Sequence, residues 1–106
     1  MGNTLHIYEK AFDQLLHNHR LIIAIPWNEV KRFKLGDQVR AYRRYKWSTT
    51  KSVFVRIIQI KQFDNLALLN KSGDKYVSPM EYCRIYGYWN DINPVGLIHI
   101  NLVVEH

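Results

Sequence analysis

At 106 residues and 12.7 kDa the chain has room for one hydrophobic core rather than two, and its 47% hydrophobic and 23% charged residues exclude a disordered or low-complexity protein. Its longest apolar run, residues 21–26, is far short of the roughly 18 residues of a membrane span, and its single cysteine, Cys83, excludes an internal disulfide. A formal net charge of +6 favours polyanionic or acidic partners, and with no leader-like start a cytoplasmic protein is expected.

Residues 4–7 alternate and suit a short first strand. Apolar side chains then recur at Tyr8, Ala11, Phe12, Leu15 and Leu16, the spacing of one helix face, which predicts a helix over residues 8–19. The isoleucine-rich stretch from Arg20 to Pro26 is too short for a second helix and reads as a buried strand stopped by its proline. Residues 27–33 read as a connection and Leu35-Gly36-Asp37 as a turn. Residues 38–46 alternate as a half-exposed strand, and residues 47–51 form a polar loop. The β-branched segment 52–62 then pairs back as an antiparallel hairpin. Residues 66–69 suggest one more short strand.

A break at Ser72-Gly73-Asp74 precedes a second helix, whose start is marked by Ser78 and Glu81 as a capping box with Pro79 at the first helical position. Gly87 ends that helix, residues 88–94 form a loop, and residues 97–104 form the last strand. The expected order is β-α-β-β-β-α-β: a small curled sheet or partial barrel flanked by two helices, one domain over residues 1–106.

The charge is unevenly spread. Residues 31–61 hold ten lysines and arginines against the single acid Asp37, so the whole net positive charge resides in the middle third. Within it, Arg40, Arg43, Arg44, Lys46 and Lys51 are interleaved with Tyr42, Tyr45 and Trp47. Cations for phosphates beside rings for bases are the chemistry of single-strand recognition, with stacking contributing about 1–3 kcal/mol per base. Alternation puts Arg43, Tyr45 and Trp47 on one face of the strand and Arg40, Tyr42, Arg44 and Lys46 on the other, so one site takes both sets only where the strand twists or bulges.

Other chemistry is thin. His17 and His19 lie at a helix end, with His6 and His99 far off in sequence, and zinc needs three or four converging ligands, so no metal site is expected. Cys83 reads as a small packed residue of the second helix. Tyr82, Tyr86 and Tyr88 read as core rings, with Trp89 in a loop free to close over a base or a protein partner.

The order of these segments resembles the PUA-like superfamily, and within it the ASCH-type domains that include small bacterial N4-acetylcytidine amidohydrolases. The likeness covers nearly the whole chain. It rests on Leu5-His6-Ile7-Tyr8 running into the helix, on the isoleucine-rich strand, on Phe33-Lys34-Leu35-Gly36-Asp37-Gln38-Val39-Arg40, and on Ile92-Asn93-Pro94 before the closing strand. The resemblance implies an α+β fold, a small mixed β-barrel with two helices, and a cleft for RNA or modified nucleotides beside the first helix.

It also implies where family chemistry is missing. The ASCH hallmark Gly-x-Lys-x-x-Glu-x-Arg falls here on Asn18, Arg20, Ile23 and Ile25, and only the positive charge at Arg20 survives. The lysine, threonine and glutamate proposed as catalytic in the amidohydrolases correspond to Arg20, Ile23 and, loosely, Asp74. A guanidinium stays protonated and an isoleucine has no hydroxyl, so hydrolysis is not expected.

The expectation is a non-catalytic domain, without cofactor or metal, that binds nucleic acid, RNA above all, through Arg20, Arg40, Tyr42, Arg43, Arg44, Tyr45, Lys46, Trp47 and Lys51. Two alternatives stay open. One is a divergent amidohydrolase with a closed pocket where Asp74 or Glu81 faces Arg20. The other is a small interaction protein, of phage or mobile-element type, docking its basic face on an acidic partner.

Overall fold

The first helix runs into the next strand without a loop, and one residue makes that possible. In the computed structural model, which describes residues 4–45, 48–76 and 94–103, strand β1 (Thr4–Tyr8) leads into helix α1 (Glu9–Asn18) and then strand β2 (Arg20–Pro26). His19 takes the left-handed conformation, φ 64°, and donates its N–H to Leu15 O at 2.8 Å, closing the helix. Its own carbonyl accepts from Leu102 N–H at 2.8 Å, so the reversal is pinned to the sheet.

Pro26 ends β2 as its ring dictates, and the chain then makes a single helical turn, α2 (Trp27–Val30), where the sequence suggested only a connection. Val30 is fully buried, and a Cβ built on Gly96 would overlap its side chain, so Gly96 is the residue that lets the turn lie on the sheet. Gly36, at φ +86°, makes the expected turn: Asp37 accepts from Lys34 N–H at 2.9 Å through its carboxylate. Strand β3 (Gln38–Tyr45) follows, and β4 (Ser48–Phe63) begins earlier than expected, taking Ser48, Thr49, Thr50 and Lys51 from the anticipated loop.

The short strand expected at residues 66–69 is instead helix α3 (Leu66–Lys71). Asn65 accepts from Leu68 N–H at 2.9 Å, the N-cap bond that starts a helix, and Leu-Ala-Leu-Leu are strong helix formers without a β-branch. The last strand, β5 (Val95–Leu102), starts two residues before its expected position. The helix anticipated from Ser78 to Gly87, with Cys83 and the Tyr82, Tyr86, Tyr88 and Trp89 cluster, lies outside the described residues. Among those described the order is therefore β-α-β-α-β-β-α-β, with three helices.

The five strands form one curled, half-barrel sheet in the order β1-β3-β4-β5-β2. β1 runs parallel to β3, and every other pairing is antiparallel. On the inner face Leu5, Ile7, Val39, Ala41, Val55, Ile57, Ile98 and Ile100 meet Ala11, Phe12 and Leu15 of α1, and this is the main core. The outer face has a smaller apolar patch of Ala24, Val95 and Leu97 under Leu69 of α3, at one end only. The rest of the outer face carries the polar chemistry.

Candidate functional site

Residues paired across neighbouring strands point to the same side of a sheet, so the register reads out the outer face row by row. One row is Thr4, Arg40 and Phe54; the next is His6, Tyr42 and Ser52. A third crosses four strands as Gln38, Arg56, Asn101 and Arg20. With strands about 4.8 Å apart, Arg56 and Arg20 stand roughly 10 Å from each other on either side of Asn101. Inward neighbours confirm the phase: Val39, Ala41, Val55, Ile100 and Leu21 are all in the main core.

The rings on this face are already used as platforms. His6 and Tyr42 stack with centroids 5.6 Å apart and planes 21° from parallel. The Arg40 guanidinium sits 4.8 Å from the centre of the Phe54 ring. Arg56 donates to Gly36 O at 3.2 Å and to Gln38 Oε1 at 3.5 Å, so its fork is steadied by the turn. Arg20, Arg40 and Arg56 are exposed, and Tyr42, Phe54 and His6 half-buried.

Arg43 belongs elsewhere. It lies on the inner side of β3, just before a register shift at Arg43/Arg44, and turns onto α1. Its Nε donates to Asp13 Oδ1 at 3.3 Å, and its NH2 group approaches Glu9 Oε2 at 3.4 Å. Two carboxylates thus match its charge and tie β3 to the first two turns of the helix.

Of the other sequence-predicted residues, Arg44 and Tyr45 pair by backbone with Thr49 and Ser48, Lys51 is exposed opposite Arg43, and Lys46 and Trp47 lie outside the described residues. The fold brings Arg20, Arg40 and Tyr42 to one face. It adds His6, Phe54 and Arg56, which sequence reasoning left out of the site. Arg56 was within the basic stretch, and pairing the hairpin with Gln38 opposite Arg56 would have found both it and Phe54.

Arg20 also stands at the lip of an open groove of about 960 Å³. The outer faces of β2 and β5 contribute Arg20, Ile22, His99 and Asn101; the segment after α3 contributes Lys75 and Tyr76; Gln14 and Asn18 of α1 flank it. Among the described residues, the lining contains two cations and no carboxylate. Asp74 is close by but engaged, accepting from Lys61 Nζ at 3.5 Å and from Ser72 Oγ at 3.1 Å. Asp74, one of the two carboxylates of the hydrolase reading, is thus engaged by Lys61 and Ser72, and the other, Glu81, lies outside the described residues.

His99 is the residue of the groove that no sequence pattern singled out. Its Nε2 is covered and has no hydrogen-bond partner among the described residues. Burial holds its pKa below the ordinary histidine value; Lys61 adds to that, and Asp74 works against it. Tyr76 donates its hydroxyl to Asn70 Oδ1, and burial pushes its pKa up.

Among the described residues no group of three or more His, Cys, Asp or Glu side chains converges as a metal site, and no helix is long and apolar enough to cross a membrane. No protein-family model, curated protein or solved structure matches the chain.

Proposed function

We propose that this chain is a nucleic-acid-binding domain of PUA-like, ASCH type that lays single-stranded RNA across the outer face of its sheet. The observation that carries the reading is the register itself. It sets two ring-bearing rows, His6 with Tyr42 and Arg40 with Phe54, beside a row that presents Arg56, Asn101 and Arg20. Unstacked bases settle on aromatic rings, and cations on either side follow the phosphates, which is how open sheets hold single strands. A duplex offers its bases no such contact, so single strands bind more tightly.

Binding without hydrolysis fits the same residues. Ile23, at the position of the family threonine, is fully buried in the core, and Arg20 carries a group that neither attacks nor takes up a proton at neutral pH. Arg20 then serves as a phosphate contact at the groove's lip.

The test is a titration against a ten-nucleotide RNA, the same sequence as single-stranded DNA, and a duplex, each at two salt concentrations. Tyr42→Leu, which keeps apolar area and removes the flat ring, weakens single-strand binding about tenfold. The reading fails if Arg40→Glu combined with Arg56→Glu leaves all three affinities unchanged. An acidic protein partner is the remaining use of a basic face, and a stable complex indifferent to competing RNA would indicate it.

A further inference from the structure

His99 is an unusual neighbour for a basic surface. A protonated imidazole carries two N–H donors that need acceptors or water, and here Nε2 is sealed and without a partner among the described residues. Among the described residues, the charged and titratable groups beside it come from β4, β2 and the segment after α3. Lys61 faces it from β4, Arg20 lies one row along on β2, and Asp74, Lys75 and Tyr76 come from the segment after α3. Its direct register partners, Ile22 and Gln59, are uncharged. The only carboxylate of the set, Asp74, is shared with Lys61 and Ser72. Among the described residues, therefore, a positive charge on His99 is poorly compensated.

We propose that the groove beside His99 takes up its anion together with a proton, so that RNA binding draws one proton onto this ring. The inference rests on the reading of the outer face as a surface for RNA and names its regulation. A phosphate held by Arg20 at the groove supplies the negative charge that the lining lacks and offsets the push of Lys61. The proton then enters from solvent, no bond between heavy atoms changes, and the charge added to the complex is +1. Through linkage, affinity for RNA rises as pH falls through the range between the unbound and bound midpoints of His99. The slope has a ceiling of tenfold per pH unit, the limit for one proton. Above that range the ring stays neutral and the groove holds the anion less firmly.

Two readouts test this on the full chain between pH 5 and pH 8. The first is the His99 ring signal by NMR, followed without ligand, with a ten-nucleotide RNA and with a heparin hexasaccharide, whose sulfates keep their charge throughout. The second is RNA affinity of the wild type, His99→Gln and His17→Gln. RNA is expected to raise the His99 midpoint, and affinity to tighten at least about threefold from pH 7.5 to 5.5, with the gain lost in His99→Gln and kept in His17→Gln.

If RNA binds and the His99 midpoint does not move, proton uptake is wrong and the RNA reading stands. If RNA fails to bind while the hexasaccharide raises the midpoint, the groove is a proton-linked anion site and the RNA reading falls. If neither moves it, the inference is overturned, and this outcome is legible in the wild type even where His99→Gln does not fold.

Discussion

Arg40 and Phe54 are register partners across the β3–β4 pair, and the guanidinium of the first lies 4.8 Å from the ring centre of the second. The contact holds a cation over an aromatic ring while Arg40 remains an exposed residue. Arg43, three residues along the same strand, spends its charge on Glu9 and Asp13. Two arginines of one strand thus have different work, and substitution separates them.

Arg40→Ala is expected to reduce RNA affinity and to lower the slope of log affinity against log salt by about 0.7, the loss of one single-strand phosphate contact. Thermal stability should change little, since an exposed cation–ring contact contributes about 0.5–1 kcal/mol. The measurement is a salt series on wild type and variant, and an unchanged slope would remove Arg40 from the phosphate path.

Arg43→Ala should do the reverse. Its ion pairs are partly exposed, so each contributes about 0.2–1 kcal/mol, and losing both lowers unfolding stability by about 1 kcal/mol. RNA affinity should stay within about twofold of wild type, because that charge is already matched by carboxylates. Urea denaturation and a binding titration on the same variant decide it.

Gly96→Ala places a methyl group against buried Val30, and overpacking of this kind costs about 1–3 kcal/mol. Adding Val30→Ala should recover part of that loss, giving a favourable coupling between the two sites. A double-mutant cycle by urea denaturation measures it, and simple additivity would contradict the close approach of α2 to β5.

Asn65→Ala removes the side-chain acceptor for Leu68 N–H, and a lost N-cap costs about 1 kcal/mol. The helix it starts has only six residues, so amide exchange in α3 should accelerate more than in β4 or β5.

Stability itself should vary with pH through His99. Burial and Lys61 depress its pKa in the folded chain, so the unfolded state takes up its proton first as pH falls. The contribution is whole above about pH 6.5, the unfolded value, declines as pH drops through it, and levels off below the folded pKa. His99→Gln should flatten this part of the profile between pH 7.5 and 5.5 in urea melts. Bound RNA should offset the decline, since it favours the protonated ring.

Local pattern carried much of the fold. β2 follows its apolar run and its proline from Arg20 to Pro26, and α1 follows the Ala11, Phe12 and Leu15 spacing to within a residue at each end. α3 was missed because Leu66–Leu69 is shorter than a helical period can reveal, and the signal that decided it was one amide side chain at Asn65. Alternation along β3 correctly parted Arg43 from Arg40 and Tyr42. What it could not show is which strand lies beside which. Asn101 bridges Arg56 and Arg20 only because β5 sits between β4 and β2, and the register shift between Ile57 and Gln59 that sets His99 opposite Gln59 has no mark in sequence. Those are long-range pairings, settled by the closing of the whole sheet.

That placement of β5 also orders events on the ribosome. Among the described strands β2 pairs with β5 alone, yet some seventy residues separate Pro26 from Val95. While the chain is being synthesised, β2 has emerged long before its partner and waits with its hydrogen-bonding groups unpaired, shielded only by what α1 can cover. The hairpin of β3 and β4 can form early, but the half of the molecule bearing Arg20 and the groove assembles only when residues 95–102 slide in between. A ribosome stalled before that point holds a nascent chain with a naked isoleucine strand, the species on which a chaperone would act.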